Sequence, residues 1–162
     1  MVLVGDSIRF TNVISKKYYY HFNDMKTVME SFINEIIGVH ATVKGPLFYA
    51  LYNVPLDEMM MAEFFMPVEE DQVELPEDMR YHSYYNIEDM LGVAIHKQFE
   101  TATEEAYASL IQYMNLNGYT QITPIYHLFS GDNTMQYVHI KIGYAPAEEE
   151  QQEREPELVW KD

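Results

Sequence analysis

Two imidazoles and one carboxylate open the chemical reading of this chain: His127, His139 and Glu63, which strand alternation sets on one surface. Two histidines and a glutamate can in principle hold zinc, but no helical or loop motif with metal-ligand spacing surrounds them. Histidines hydrogen-bonded at the edge of a tyrosine cluster are the simpler reading. Glu63 could also act as a general base, yet the sequence shows no nucleophile, base and oxyanion donor together. No catalytic residue, metal or cofactor is therefore expected. The tyrosines carry more weight. There are 14 of them, and because each buried hydroxyl needs a partner, they exceed what a core accommodates and point to a tyrosine-lined cleft or interface. Met59-Met60-Met61 and Met66 would suit an adaptable surface, although methionine under a sheet is more often core. With no cysteine in the chain, disulfides, thiolate nucleophiles, iron–sulfur clusters and cysteine-based zinc sites are excluded.

The chain has 162 residues, of which 48% are hydrophobic and 14% aromatic, enough for one good core and too few for two ordinary domains. No run of about 18 apolar residues and no basic-then-apolar leader is present, which predicts a soluble cytoplasmic protein. The formal charge of −16 would repel a phosphate backbone, so nucleic acid is not an expected partner. Much of the acid lies in Glu69-Glu70-Asp71 with Glu74, Glu77 and Asp78, and in the run from Glu148 to Glu155. These read as a solvated linker and a disordered tail. Trp160, the single tryptophan, lies beyond that run in Leu158-Val159-Trp160, where an untethered or locally packed end is the simpler reading than a docking motif.

Residues 7–22, SIRFTNVISKKYYYHF, are crowded with branched and aromatic side chains and read as one long strand or a strand pair. Asn23 or Asp24 can cap a helix over 23–38 with Met25, Met29, Phe32, Ile33, Ile36 and Ile37 at helical spacing, closed by Gly38. Lys44-Gly45-Pro46 then turns the chain into LFYALYNV (47–54), and MMMAEFFMPV (59–68) follows Pro55-Leu56-Asp57-Glu58 as the second arm of a hairpin. The order returns after the acidic stretch: YHSYYNI (81–87), LGVAIHKQ (91–98), a helix over 101–117, and a strand pair 125–131 and 135–144 joined at Asp132-Asn133. The second helix carries a capping-box signature, Thr101-Ala102-Thr103-Glu104, a stripe of Tyr107, Leu110, Ile111 and Met114, and an Asn117-Gly118 stop.

Short helices and lone hairpins are marginal by themselves, so both helices should cover one face of one sheet. The expected fold is α+β: duplicated β-α-β-β units (about residues 7–68 and 79–145) forming an antiparallel sheet of about eight strands with two main helices on one face. A single domain would span 1–146, with 147–162 as the acidic tail. Alternation sets Val138, Ile140 and Ile142 against Tyr137, His139 and Lys141, and Met60, Ala62 and Phe64 against Met61, Glu63 and Phe65. The uncovered face is aromatic with a few polar groups.

This layout, with AIHKQFETATEEAYASLIQYMNLNGY (94–119) and Pro124-Ile125-Tyr126-His127, resembles the gyrase-inhibitor-like (GyrI-like) superfamily, which includes the effector-binding domains of multidrug-responsive activators. Gly45-Pro46-Leu47-Phe48-Tyr49 and Thr123-Pro124-Ile125-Tyr126-His127 are similar to a Gram-positive subgroup often encoded beside LXG-type polymorphic toxins. The resemblance implies a groove between the halves, lined by aromatics, with a central glutamate that attracts lipophilic cations. His127 stands at the place of that glutamate, and a neutral imidazole supplies no fixed negative charge. Glu63, on the corresponding hairpin of the first half, can substitute. The candidate ligand-binding residues are therefore Tyr49, Tyr52, Glu63, Phe65, Tyr126, His127, Tyr137 and His139. Their occupant would be a small hydrophobic or aromatic ligand, or a protein partner such as a toxin served by a chaperone-like accessory protein. The sequence does not choose between them, and the activators' DNA-binding module is absent from it.

The composition of the tail yields a test. Low hydrophobicity and like charge leave nothing to offset the entropy of ordering residues 148–162. Truncation after Pro146 is expected to leave the melting temperature, read by calorimetry, within about 5 °C, roughly 1 kcal/mol for a domain of this size. A larger drop would show that the tail is packed.

Overall fold

The branched and aromatic run near the N-terminus forms one uninterrupted strand, β1 (Leu3–His21). In the computed structural model, which describes residues 1–52, 58–131 and 136–147, a 3-10 turn, Phe22–Asp24, leads from β1 into α1 (Met25–Gly38). Then come β2 (Phe48–Leu51), β3 (Met59–Pro67), β4 (Met79–Ile95), α2 (Phe99–Asn117), β5 (Tyr119–Gly131) and β6 (Gln136–Pro146). The β-α-β-β order thus occurs twice. All pairings are antiparallel, and the strands close in the order β1-β3-β2-β5-β6-β4 with β4 returning to β1.

The sheet has six strands, fewer than the expected eight, because β1 and β4 each run straight through what reads in sequence as two strands. The first half of β1 pairs with β4 and its second half also pairs with β3. Register shifts between Val4 and Ile8 bend the β1–β4 pair instead of ending it, and Asp89, on the opposing strand, takes up the extra length with φ 57.

Both helices lie on one face of this sheet. In an antiparallel ladder, directly opposed residues point the same way, and the registers connect Lys16, Phe64, Tyr49, His127, Ile140 and Val93 from strand to strand. Phe32 of α1 packs at 5.9 Å from Phe64, and Tyr107 of α2 packs at 5.7 Å from His127. The core under α1 gathers Ile14, Phe32, Ile36, Phe64 and Met66; the core under α2 gathers Leu91, Val93, Leu110, Met114, Ile140 and Ile142. A third cluster, Ile8, Val13, Phe48, Phe65, Met90, Tyr126 and Leu128, fills the opposite, inner face. Lys16 reaches across to Glu35 at 2.7 Å and Asp78 at 3.0 Å, fastening α1 to the sheet.

Several local expectations are corrected. α2 starts at Phe99, so Thr101 sits inside its first turn and no side chain caps it. α1 likewise has no side-chain bond from Asp24; instead His21 Nδ1 accepts from Asn23 N ahead of it. Ile37 and Ile111, assigned to the apolar stripes, are 57% and 54% exposed. Gly118 does close α2, in the left-handed region at φ 68. The acidic stretch is more than a solvated linker: Val73 and Leu75 pack on the α1 core, and Glu70 accepts from Thr42 N and Oγ1 at 2.7 and 2.8 Å. The turns expected at Pro55–Asp57 and Asp132-Asn133, and the tail with Trp160, lie outside the described residues. No helix among the described residues is long and apolar enough to cross a membrane.

Near one end of the ring, Lys141 Nζ reaches Asp6 Oδ1 at 3.1 Å and the Ser7 carbonyl at 2.7 Å. A Cβ on Gly92 would collide with the same Asp6 carboxylate. Gly92→Ala is therefore expected to lower stability by about 1–3 kcal/mol, as overpacking does, in a chemical-denaturation series. An unchanged midpoint would mean that the ion pair relocates freely.

Candidate functional site

The structure divides the eight candidate residues into three places. Strand register decides the division, because neighbours along a strand point to opposite faces. Tyr126 and His127 are adjacent in sequence, and β5 turns Tyr126 inward and His127 outward.

Tyr49 and His127 lie on the outer face, directly opposed across β2 and β5 and stacked with ring centroids 4.4 Å apart. Tyr107 of α2 closes over them, its hydroxyl 2.5 Å from His127 Nε2. His127 is buried, its Nδ1 has no hydrogen-bond partner among the described residues, and burial pushes its imidazole down to about 3. It is a neutral packing group under α2. Burial likewise raises the Tyr107 phenol to about 12, so both members of this contact stay uncharged near neutrality.

Tyr137 and His139 stand at the far side of the inner face, on β6, with His96 near Tyr137 at 5.9 Å and His139 at 6.4 Å from it. β2 and β5 separate them from β3 and Glu63 in the ring order. His127, His139 and Glu63 therefore do not converge, and no cluster of three or more candidate metal ligands exists among the described residues.

Tyr52, Glu63, Phe65 and Tyr126 share the inner face. Phe65 stacks on Phe48 at 4.6 Å with the rings nearly parallel and packs on Tyr85 at 4.8 Å, while the Tyr85 and Tyr126 hydroxyls meet at 2.6 Å. Desolvation drives both phenols upward, which keeps this pair neutral. The centre of the ring is filled by these side chains.

Glu63 occupies the edge of that filling. It is 5% exposed, and its two oxygens are addressed separately: Tyr52 donates to Oε1 at 2.7 Å and Ser15 donates to Oε2 at 2.6 Å. His82 Nε2 lies 2.8 Å from Ser15 Oγ. The serine has a single proton and gives it to Glu63, so His82 must carry the Nε2 proton and donate. This is the reverse of a serine–histidine nucleophile pair, in which the imidazole accepts. Burial lowers His82, the Glu63 charge opposes this and Arg80 reinforces it. The Tyr52 phenol is pushed up first by desolvation and then by its bond to Glu63.

Glu63 and Ser15 form the floor of a cavity of about 160 Å³, whose rim carries Lys16, Lys17, Arg80, Glu77 and Asp78. From this floor an apolar strip runs outward along the same face: Met61 is two residues from Glu63 on β3, Tyr19 opposes Met61 on β1, and Tyr52 N donates to Met61 O. All three are open to solvent, Tyr19 at 63%, Met61 at 47% and Tyr52 at 43%. Ser15, His82 and Tyr85 are absent from the sequence-derived set. Ser15 was within reach, since it follows Val13 by two residues and so shares its buried face; His82 was not, because it meets Ser15 across 67 residues.

The chain belongs to the family described as Domain of unknown function (DUF5085), which matches residues 9–145. No curated protein matches it. Among solved structures, the crystal structure of the EcmrR C-terminal domain is similar at TM-score 0.70 and 15% identity, covering 91% of this chain and 98% of that one. The crystal structure of an uncharacterized conserved protein from Listeria innocua is similar at TM-score 0.60 and 6% identity, covering 87% and 92%. At these identities the likeness is one of fold, α+β with one antiparallel sheet and two helices, which is the fold that the GyrI-like resemblance implies.

Neutral His127 gives a pH prediction. Its folded pKa of about 3 lies below the unfolded value of about 6.5, so the unfolded chain binds the extra proton and the stability His127 contributes is complete above about pH 6.5 and lost as pH falls toward 3. The slope is up to about 1.4 kcal/mol per pH unit for one proton. His127→Phe should flatten the decline between pH 6 and 4 relative to the parent, read by urea denaturation at each pH. Parallel curves would show that the imidazole is protonated in the folded state.

Proposed function

We propose that this chain is a non-enzymatic binding protein for a small amphipathic effector, whose cationic head group sits on Glu63 and whose flat apolar body lies along Tyr19, Met61 and Tyr52. The observation that carries the reading is the carboxylate itself. Taking a carboxylate out of water costs several kcal/mol unless charge or hydrogen bonds compensate. Two hydroxyl donors satisfy one lone pair on each oxygen of Glu63, and no lysine, arginine or histidine among the described residues forms an ion pair with it. A ligand ammonium supplies the missing charge, and tyrosine faces beside it attract the same cation.

The cavity of about 160 Å³ is smaller than the roughly 300–1,000 Å³ that encloses a drug-sized molecule. It suits a head group, with the remainder on the exposed strip. An apolar strip beside a polar anchor is the usual character of a recognition surface. The GyrI-like resemblance, with its aromatic groove around a central glutamate, and the fold shared with the EcmrR C-terminal domain support a role in effector binding.

Glu63→Gln keeps an acceptor for Tyr52 or Ser15 and removes the charge. It is expected to weaken binding of aromatic amines by about 1–3 kcal/mol, the usual loss for a desolvated charge partner, with the melting temperature nearly unchanged. Titration calorimetry of parent and variant against a panel of aromatic cations measures this. Equal affinities in the two proteins would remove Glu63 from the site.

A further inference from the structure

The cavity above Glu63 has an anionic floor and a rim with cations to spare. Lys16, on the rim, is engaged by Glu35 and Asp78. Lys17 and Arg80, on the same rim, form no ion pair among the described residues, and Glu77 is the remaining rim carboxylate. Both free cations are fixed by strand register. Lys17 opposes Glu63 across β1 and β3, and Arg80 opposes Ser15 across β1 and β4. Lys17 Nζ lies over the Tyr52 ring at 5.5 Å, so the residue that donates to Glu63 also seats one of the cations. Arg80 is exposed to solvent, yet it lines the cavity and stands opposite the Ser15 of its floor.

A ligand bearing only a positive charge would satisfy Glu63 and meet Lys17 and Arg80 in the same small space. One bearing only a negative charge would reach those two and confront a buried carboxylate. Both signs on adjacent atoms answer both demands. Building on the effector-binding reading, we infer that the head group recognised here is zwitterionic: an ammonium on Glu63 and a carboxylate-sized anion on Arg80 and Lys17. An aromatic amino acid, or a peptide-like compound ending in one, has this chemistry together with a flat apolar body for Tyr19, Met61 and Tyr52. Arg80 is the better anion partner of the two, since its planar guanidinium can take a carboxylate through two parallel bonds.

Three probes sharing one phenyl body separate the charges: 2-phenylethylamine (cation), phenylalanine (zwitterion) and 3-phenylpropionate (anion), each titrated calorimetrically at pH 7 into the full chain. Phenylalanine is expected to bind tightest, by about five-fold or more over the amine, with the propionate weakest. Arg80→Gln, a change at an exposed position that folding should tolerate, is expected to shrink the phenylalanine-to-amine preference at least about three-fold without weakening the amine. Lys17→Gln combined with it should bring the preference to about one. An amine that binds as tightly as phenylalanine in the parent overturns this inference and leaves the effector-binding reading standing. So does an Arg80→Gln protein that retains the full preference. Failure of all three probes also overturns it, and the larger aromatic cations titrated against Glu63→Gln then decide the effector-binding reading separately.

Discussion

An antiparallel ladder holds opposed residues on the same face of a sheet and consecutive residues on opposite faces, and in this chain that constraint sorts nearly every side chain of consequence. It runs from Lys16 through Phe64, Tyr49, His127 and Ile140 to Val93, making an outer surface that only helices can cover. One step along each strand, it sends Lys17, Glu63, Ala50, Tyr126, Lys141 and Gly92 to the other side. The helices then have one place to go, and the polar residues of the inner face are held around a ring whose middle is already packed with Phe48, Phe65 and Tyr126. The solvent-facing part of this surface is the rim. There, a carboxylate fixed by two hydroxyls borders solvent-exposed aromatic surface.

This division explains how a chain with so much negative charge keeps a buried glutamate. In the segment between β3 and β4, Glu69, Asp71, Glu74, Glu77 and Asp78 are exposed, where water screens them. Glu63 is held by Tyr52 and Ser15, and Ser15 is backed by His82, so the desolvated carboxylate has an ordered shell of donors before any ligand arrives. Such preorganisation reduces what a binding partner must spend on ordering side chains. The imidazole kept neutral under α2 serves the opposite end, since a charged His127 would require solvent where Tyr49 and Tyr107 enclose it.

Parts of this arrangement are legible in the residues. The helical stripes of α1 and α2 apart from Ile37 and Ile111, the Asn117-Gly118 stop and the alternation within β3 and β6 all follow from local period, and the faces assigned to Met61, Glu63 and Phe65 against Met60, Ala62 and Phe64 agree with the observed register. Alternation fixes parity within a strand, however, and says nothing about parity between strands. Grouping Tyr49 with Tyr126 requires that missing information, and register separates them: Tyr49 opposes His127, and Tyr126 opposes Ala50. The strand count erred for a related reason. A bulge at Asp89 reads as a break in a linear sequence, whereas in the folded chain the ladder resumes on either side of it. The Ser15–His82 contact depends on the β1–β4 pairing, and no local pattern announces a partner so far along the chain.

The closure of the sheet has a consequence for association. An open sheet ends in strands whose unused amides and carbonyls invite another chain to pair with them, the usual route to edge-to-edge aggregation and to recognition of extended peptides by strand addition. Here β4 returns to β1 and every strand has a neighbour on both sides, so over its paired segments the backbone offers no such template. Against those segments a visitor would have to be held by side chains, whereas β1 beyond Lys16 pairs with β3 and not with β4.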